Sequence, residues 1–167
     1  AYGFGAAVLT LVGMTTGARR PDRALGYVLR AAAIISVLML VPAVLLCWRP
    51  TIWLGLFTHD PAIIAVGTSY FRIVGPSYPF VGLSMVSAFA FQGFGRATIP
   101  LVWMTIRVVT VLAVSLLCTQ RLGMGDQAVF ATVSAANILS AVVMFALFVR
   151  TEQALRVPRP IEAPGVD

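Results

Sequence analysis

Few side chains in this sequence could carry covalent chemistry, and their spacing argues against it. There is one histidine, His59, and six carboxylates in 167 residues. None of those acids lies deep in an apolar run, so no acid–base pair forms for hydrolytic or proteolytic work. Cys47 and Cys118 are far apart and sit in or at the ends of apolar runs. Zinc needs closely spaced Cys/His ligands, and no such set exists, so both read as buried free thiols. Gly82-Leu83-Ser84-Met85-Val86 lacks the second glycine of a nucleophile elbow. Gly93-Phe94-Gly95 lacks the third glycine of a dinucleotide-binding turn. No catalytic residue, metal site or cofactor is expected, and the chain does not read as an enzyme.

Other polar residues punctuate apolar runs. Ser77, Tyr78, Ser84, Ser87 and Gln92 lie in one, and Thr132, Ser134, Asn137 and Ser140 in another. Ser77 and Ser84 are seven apart and share a helix face, while Ser134, Asn137 and Ser140 make a stripe of every third residue. Such groups either line a polar pathway or hydrogen-bond between helices, the latter worth about 0.6 kcal/mol on average. Tyr78, Ser84, Gln92 and Asn137 are the candidate pathway residues. Gly13-x-x-x-Gly17 is a spacing that lets helices approach closely. Arg72 is a charge within an apolar run, about two turns from its outer end. It can serve a site or snorkel to the interface, and snorkelling is the cheaper fate there.

The elements that would position these groups are membrane spans. Hydrophobic residues make up 59% of the chain and charged residues 11%, against roughly 25% in a soluble domain. The expected fold is all-α: a polytopic bundle of about five transmembrane helices, near 1–17, 27–48, 61–92, 99–119 and 127–149. The first run is shorter than the roughly 20 residues a span needs, so it reads as truncated. Residues 151–167 read as a flexible tail. Barrel strands would alternate apolar and polar over about ten residues, whereas these runs are continuously apolar.

The third run is too long. Some thirty residues in one straight helix would span about 46 Å, against a hydrocarbon layer of about 30 Å. Gly75, Pro76 and Pro79 lie near its middle. Each proline removes a backbone donor and crowds the preceding turn, so a bend or break is expected there. Broken helices near the midplane are a feature of transporter sites, and also occur as plain kinks.

All twelve basic residues are arginines, and the formal charge is +6. They sit between apolar runs rather than along one face, which speaks for topogenic charge and against nucleic acid. Arg19, Arg20, Arg23, Arg30, Arg96, Arg107, Arg150, Arg156 and Arg159 fall on one set of alternating loops and flanks; Arg49 and Arg121 fall on the other. By the positive-inside rule the former and the C-terminus face the cytoplasm across the inner (plasma) membrane, and Asp60 and Asp126 face outward.

Two turns carry a resemblance. Thr10-Leu11-Val12-Gly13-Met14-Thr15-Thr16-Gly17-Ala18, continuing to Ala24, resembles a turn in the C-terminal half of the multidrug and toxic compound extrusion (MATE) family. Gln92-Gly93-Phe94-Gly95-Arg96-Ala97-Thr98-Ile99-Pro100 is similar to the family's turn after its tenth helix, and Tyr70–Pro79 to that helix's start. The resemblance implies helices eight (partial) to twelve of a twelve-helix antiporter that exports organic, often cationic, compounds in exchange for Na⁺ or H⁺. It departs in Met14, where glutamine is usual, and in the lack of an acid in the third run. The coupling ion is therefore expected to bind outside this chain. The expected partners are membrane lipids, a small organic substrate and the missing N-terminal half of the same protein. A lipid-linked saccharide flippase of the same superfamily and a non-transporting scaffold subunit are the competing readings.

Overall fold

Helices dominate because long apolar runs in hydrocarbon must satisfy every backbone N–H and C=O internally. The computed structural model describes residues 2–18, 20, 22–120 and 125–156. The order is α1 (Tyr2–Gly17), α2 (Asp22–Trp48), α3 (Pro50–Gly55), α4 (Pro61–Val74), a 3-10 turn (Gly75–Ser77), α5 (Tyr78–Gly93), α6 (Thr98–Gln120) and α7 (Asp126–Arg156). Among the described residues four segments are long and apolar enough to cross a membrane: Arg23–Trp48, Pro61–Gly93, Thr98–Gln120 and Asp126–Leu155; the apolar helix Gly3–Gly17 is shorter.

Three boundaries differ from the sequence reading. α2 begins at Asp22, ahead of its apolar run. The loop after it holds the short helix α3, which starts on Pro50, where a missing N–H costs nothing. α7 continues past residue 149 through the fully buried Glu152 to Arg156, so part of the expected flexible tail is helix. Residues 157–167 of that tail lie outside the described residues.

α5 is the hub, packed against α1, α2 and α7. Its buried side chains Val86, Ala90 and Phe91 meet Val8 and Val12 of α1, Val28 and Ile35 of α2, and Met144 and Phe148 of α7. Phe94 stacks on Phe148 with ring centroids 5.6 Å apart, and Phe91 meets the same ring edge-on at 6.3 Å. α6 stands outside this core and packs mainly on α7. Large apolar side chains cover the outward faces of α2 and α6, as expected where lipid is the solvent.

The family-like turns are packing and capping devices. A Cβ on Gly93 would lie 2.8 Å from Val12 Cβ and 2.9 Å from the Leu9 carbonyl oxygen, so α1 crosses α5 directly over it. Gly13 lies in the same crossing, with the Gly93 carbonyl 3.8 Å from where its Cβ would be; Gly17 has open space. Gly95, at φ +70°, ends α5 in a left-handed cap. Its N–H reaches the Gln92 carbonyl and the Arg96 N–H the Phe91 carbonyl, both at 2.9 Å. Pro100 is buried in the first turn of α6, where its missing N–H is tolerated.

Gly93→Ala should destabilise the full-length protein by about 1–3 kcal/mol, because backbone and Cβ atoms cannot move aside. Gly26→Ala, in open space inside α2, should stabilise it by about 0.5–1 kcal/mol. Thermal unfolding in detergent reads both, and equal shifts would refute the crossing at Gly93.

Candidate functional site

The site begins as a backbone problem. Pro76 and Pro79 have no N–H, so the carbonyls of Arg72 and Gly75 lose their α-helical donors. The chain tightens into the 3-10 turn, and the Tyr78 N–H bonds to the Gly75 carbonyl instead of reaching back to Val74. The backbone dihedrals stay right-handed helical from Val74 to Tyr78, so the span is interrupted rather than unwound. The displaced Val74 carbonyl accepts from the Ser77 hydroxyl at 2.7 Å.

Neighbouring helices complete the arrangement. Gly75 is where α2 touches the interruption: a Cβ there would lie 2.5 Å from Cys47 Sγ. The Cys47 thiol donates to the Phe71 carbonyl at 3.2 Å, and Ser36 of α2 donates to the Pro79 carbonyl at 3.3 Å. From the other side, Asn137 Nδ2 of α7 donates to Ser77 Oγ at 2.8 Å. Arg107 Nη2 of α6 donates to Asn137 Oδ1. The result is one directed relay: Arg107 to Asn137, Asn137 to Ser77, Ser77 to the Val74 carbonyl. A second rung lies one turn away, where Trp103 Nε1 donates to Ser140 Oγ at 3.3 Å.

The relay lies in the middle of the spans. Ser77 is sixteen residues from each end of Pro61–Gly93. Arg107 is nine residues past Thr98 and thirteen before Gln120. This corrects the reading of Arg107 as a loop-flanking topogenic charge. Its guanidinium is turned onto Asn137 of α7 near the middle of the α6 span. α4, α5 and α6 carry no acid, and the α7 acids Asp126 and Glu152 are about 16 and 22 Å from Asn137 along the helix. The guanidinium thus rests on a neutral amide, and its buried Nε has no acceptor among the described residues. Sequence spacing could have found the pairing. Trp103 and Arg107 are four apart on α6, Asn137 and Ser140 three apart on α7, and both pairs project from one helix face.

The candidate residues therefore separate. Asn137 is buried with both ends of its amide engaged. Ser77 is buried against it, whereas Ser84 is half-buried further along α5. Tyr78 is half-buried, with Tyr70 and Cys47 as its polar neighbours. Gln92 is exposed at the end of α5. Arg72 is exposed in the last turn of α4, roughly three turns from Pro61 rather than the two expected, because α4 starts at Pro61 itself. A cavity of about 670 Å³ opens between α4 and α7, lined by Ser69, Asp126, Gln127 and Phe130 rather than by Tyr78, Ser84 or Gln92. No cluster of three His, Cys, Asp or Glu side chains that could hold a metal occurs among the described residues.

The MatE family model matches residues 1–117. Three solved structures share the fold. A MOP superfamily transporter from Pyrococcus furiosus superposes with a TM-score of 0.85 at 19% identity, over 92% of this chain and 35% of that one. An inward-facing multidrug resistance MATE family transporter gives 0.83 at 20% identity, over 91% and 36%. A MATE in complex with MaL6 gives 0.83 at 20% identity, over 91% and 35%. This chain spans about a third of their length. No curated protein matches it.

Asn137→Ala strands a charge and frees Ser77, and should cost about 1.5–3 kcal/mol. Arg107→Met removes the charge and should cost about 1 kcal/mol. The double variant should be more stable than the sum of the two costs implies, by at least about 1 kcal/mol. Additive losses in thermal or denaturant unfolding would show that the relay does not act as a unit.

Proposed function

Because the chain belongs to the MatE family of membrane transporters, we propose that it forms part of a secondary antiporter exporting organic, often cationic, compounds in exchange for Na⁺ or H⁺. The observation that carries this reading is the 3-10 interruption at the centre of the over-long Pro61–Gly93 span. A departure from α-helical hydrogen bonding at that depth is tolerated where neighbouring helices or a cavity cover it, and transporters build sites from interrupted helices. Transporter sites lie between two repeats. The substrate is therefore bound jointly with a further part of the protein, supplied by its N-terminal half, which fits a chain spanning about a third of its structural neighbours.

Tyr78, Ser84 and Gln92 contact the substrate in this proposal, and Asn137 acts through the relay. The coupling ion binds elsewhere in this proposal, since α4, α5 and α6 hold no acid and the α7 acids Asp126 and Glu152 lie towards the ends of that helix. The arginine-rich loops and the C-terminus lie in the cytoplasm. Moving Arg107 out of the topogenic set leaves eight arginines on that side against Arg49 and Arg121, so the asymmetry survives.

One observation favours a second reading. A lipid-linked saccharide flippase calls for fixed positive charge inside the membrane, and Arg107 supplies it beside the interruption. The Pyrococcus furiosus transporter with this fold is itself described as having a binding pocket of reverse polarity that suggests a different function.

Replacing Pro76 and Pro79 together by Ala restores two N–H donors and releases Ser77 from the Val74 carbonyl. Efflux of a fluorescent organic cation by cells expressing the full-length protein should slow about two- to thirtyfold, the range of about 0.5–2 kcal/mol in coupling. Expression should persist. Unchanged efflux would remove the interruption from the mechanism. Absence of any cation efflux by the unaltered protein would turn the assignment towards the flippase. Orientation is read separately by single-cysteine labelling in a Cys47- and Cys118-free background. In whole cells an impermeant reagent should reach position 60 and not position 96, and the reverse would invert the topology.

A further inference from the structure

The basic residues at the start of α2 form a face with a shape. Arg23, Gly26, Tyr27 and Arg30 line a surface dent of about 260 Å³. Their spacing of three, four and seven places all four on one side of the helix. Arg23, Gly26 and Arg30 are exposed and Tyr27 is half-buried. Among the described side chains no carboxylate lines the dent. Side chains on a helix lean towards its N-terminus, so Arg30, two turns inside the span, reaches back towards Arg23. Gly26 keeps the floor open, since an added Cβ would meet nothing within 4 Å.

The same face continues down the helix as apolar surface. Ile34, Val37, Val41 and Val44 are all exposed on it, and Trp48 is 75% exposed at the far end. From Arg23 to Trp48 is about 37 Å along the axis, the hydrocarbon layer plus a margin at each side. The basic dent thus lies at the depth of phosphate headgroups, with an acyl-length apolar stripe directly beneath it. A soluble anion would use the arginines and leave the stripe unused.

We propose that Arg23, Tyr27 and Arg30 form a binding site for the phosphate of an anionic phospholipid in the leaflet at the arginine-rich end, with its acyl chains along the Ile34–Val44 face of α2. Two guanidinium groups and a phenol hydroxyl offer donors suited to a phosphodiester, and basic pockets at this depth select anionic headgroups.

The test uses purified full-length protein in neutral detergent, with native mass spectrometry counting retained phosphatidylglycerol or phosphatidylcholine. Wild type should retain phosphatidylglycerol. Arg23→Gln with Arg30→Gln should weaken that retention about twentyfold or more, since each basic residue near an anionic headgroup contributes about a fivefold factor. Phosphatidylcholine retention should not change. Gly26→Leu keeps both charges and fills the dent, and should also weaken phosphatidylglycerol retention; it decides the matter if the charge variant does not fold. Equal phosphatidylglycerol retention by wild type and Gly26→Leu overturns the site, as it would if another segment covered this face. Displacement of phosphatidylglycerol by millimolar inorganic phosphate overturns the lipid assignment in favour of a soluble anion.

Discussion

A carbonyl without a donor in hydrocarbon is the constraint on which this structure turns. Burying an unpaired peptide group costs several kcal/mol, and lipid offers no water to relieve it. Pro76 and Pro79 create that situation in the centre of a span. The Tyr78 N–H of the same span takes the freed Gly75 carbonyl, and three other helices bring polar groups to the residues around it. α2 brings the Ser36 hydroxyl and the Cys47 thiol, α7 brings Asn137, and α6 reaches in through Arg107. The interruption is thus a junction at which the helices of the bundle are fixed to one another.

Packing around that junction is uneven. α5 is tied on three sides by close contacts that only glycine permits at Gly93 and by an aromatic cluster around Phe148. α6 is held chiefly to α7, and two polar rungs, Trp103–Ser140 and Arg107–Asn137, supply its directional contacts. Interhelical hydrogen bonds in membranes are individually modest, so rungs of this kind can be exchanged at small cost. A transporter that alternates access needs contacts that hold one arrangement without preventing another.

Charge placement adds a second theme. Arg20, Arg23, Arg49 and Arg96 lie at or beside helix ends and are exposed, as charges that set topology should be. Arg107 differs because its head is turned inward onto an amide at mid-span. A full charge satisfied by a neutral acceptor leaves a positive potential next to the interrupted helix, since the low local dielectric does not screen it. That potential disfavours a bare cation at the same depth and favours a ligand with a negative group. It bears directly on which of the two transport readings applies.

The all-helical membrane architecture was legible in the sequence because twenty-residue apolar runs are a one-dimensional property set by bilayer thickness. The disturbance at Gly75–Pro79 was legible for a similar reason: proline's missing donor acts on its own chain, wherever the neighbours lie. The turn glycines were recognisable as a pattern. Only the packed helices showed that Gly93 sits beneath Val12, that Gly95 makes a left-handed cap and that a Cβ on Gly17 would meet none of the described residues. Arg107 was misread because distance along the chain placed it near a loop. Its fate depended on whether an acceptor from α7 stood opposite it, sixty residues from Ser77 in sequence and one hydrogen bond away in space. Asn137 likewise could have faced a pathway or a partner. Composition and periodicity determine which segments enter the membrane and where each must yield. Which polar groups then meet depends on the rotation and register of separate helices, and tertiary packing alone decides those.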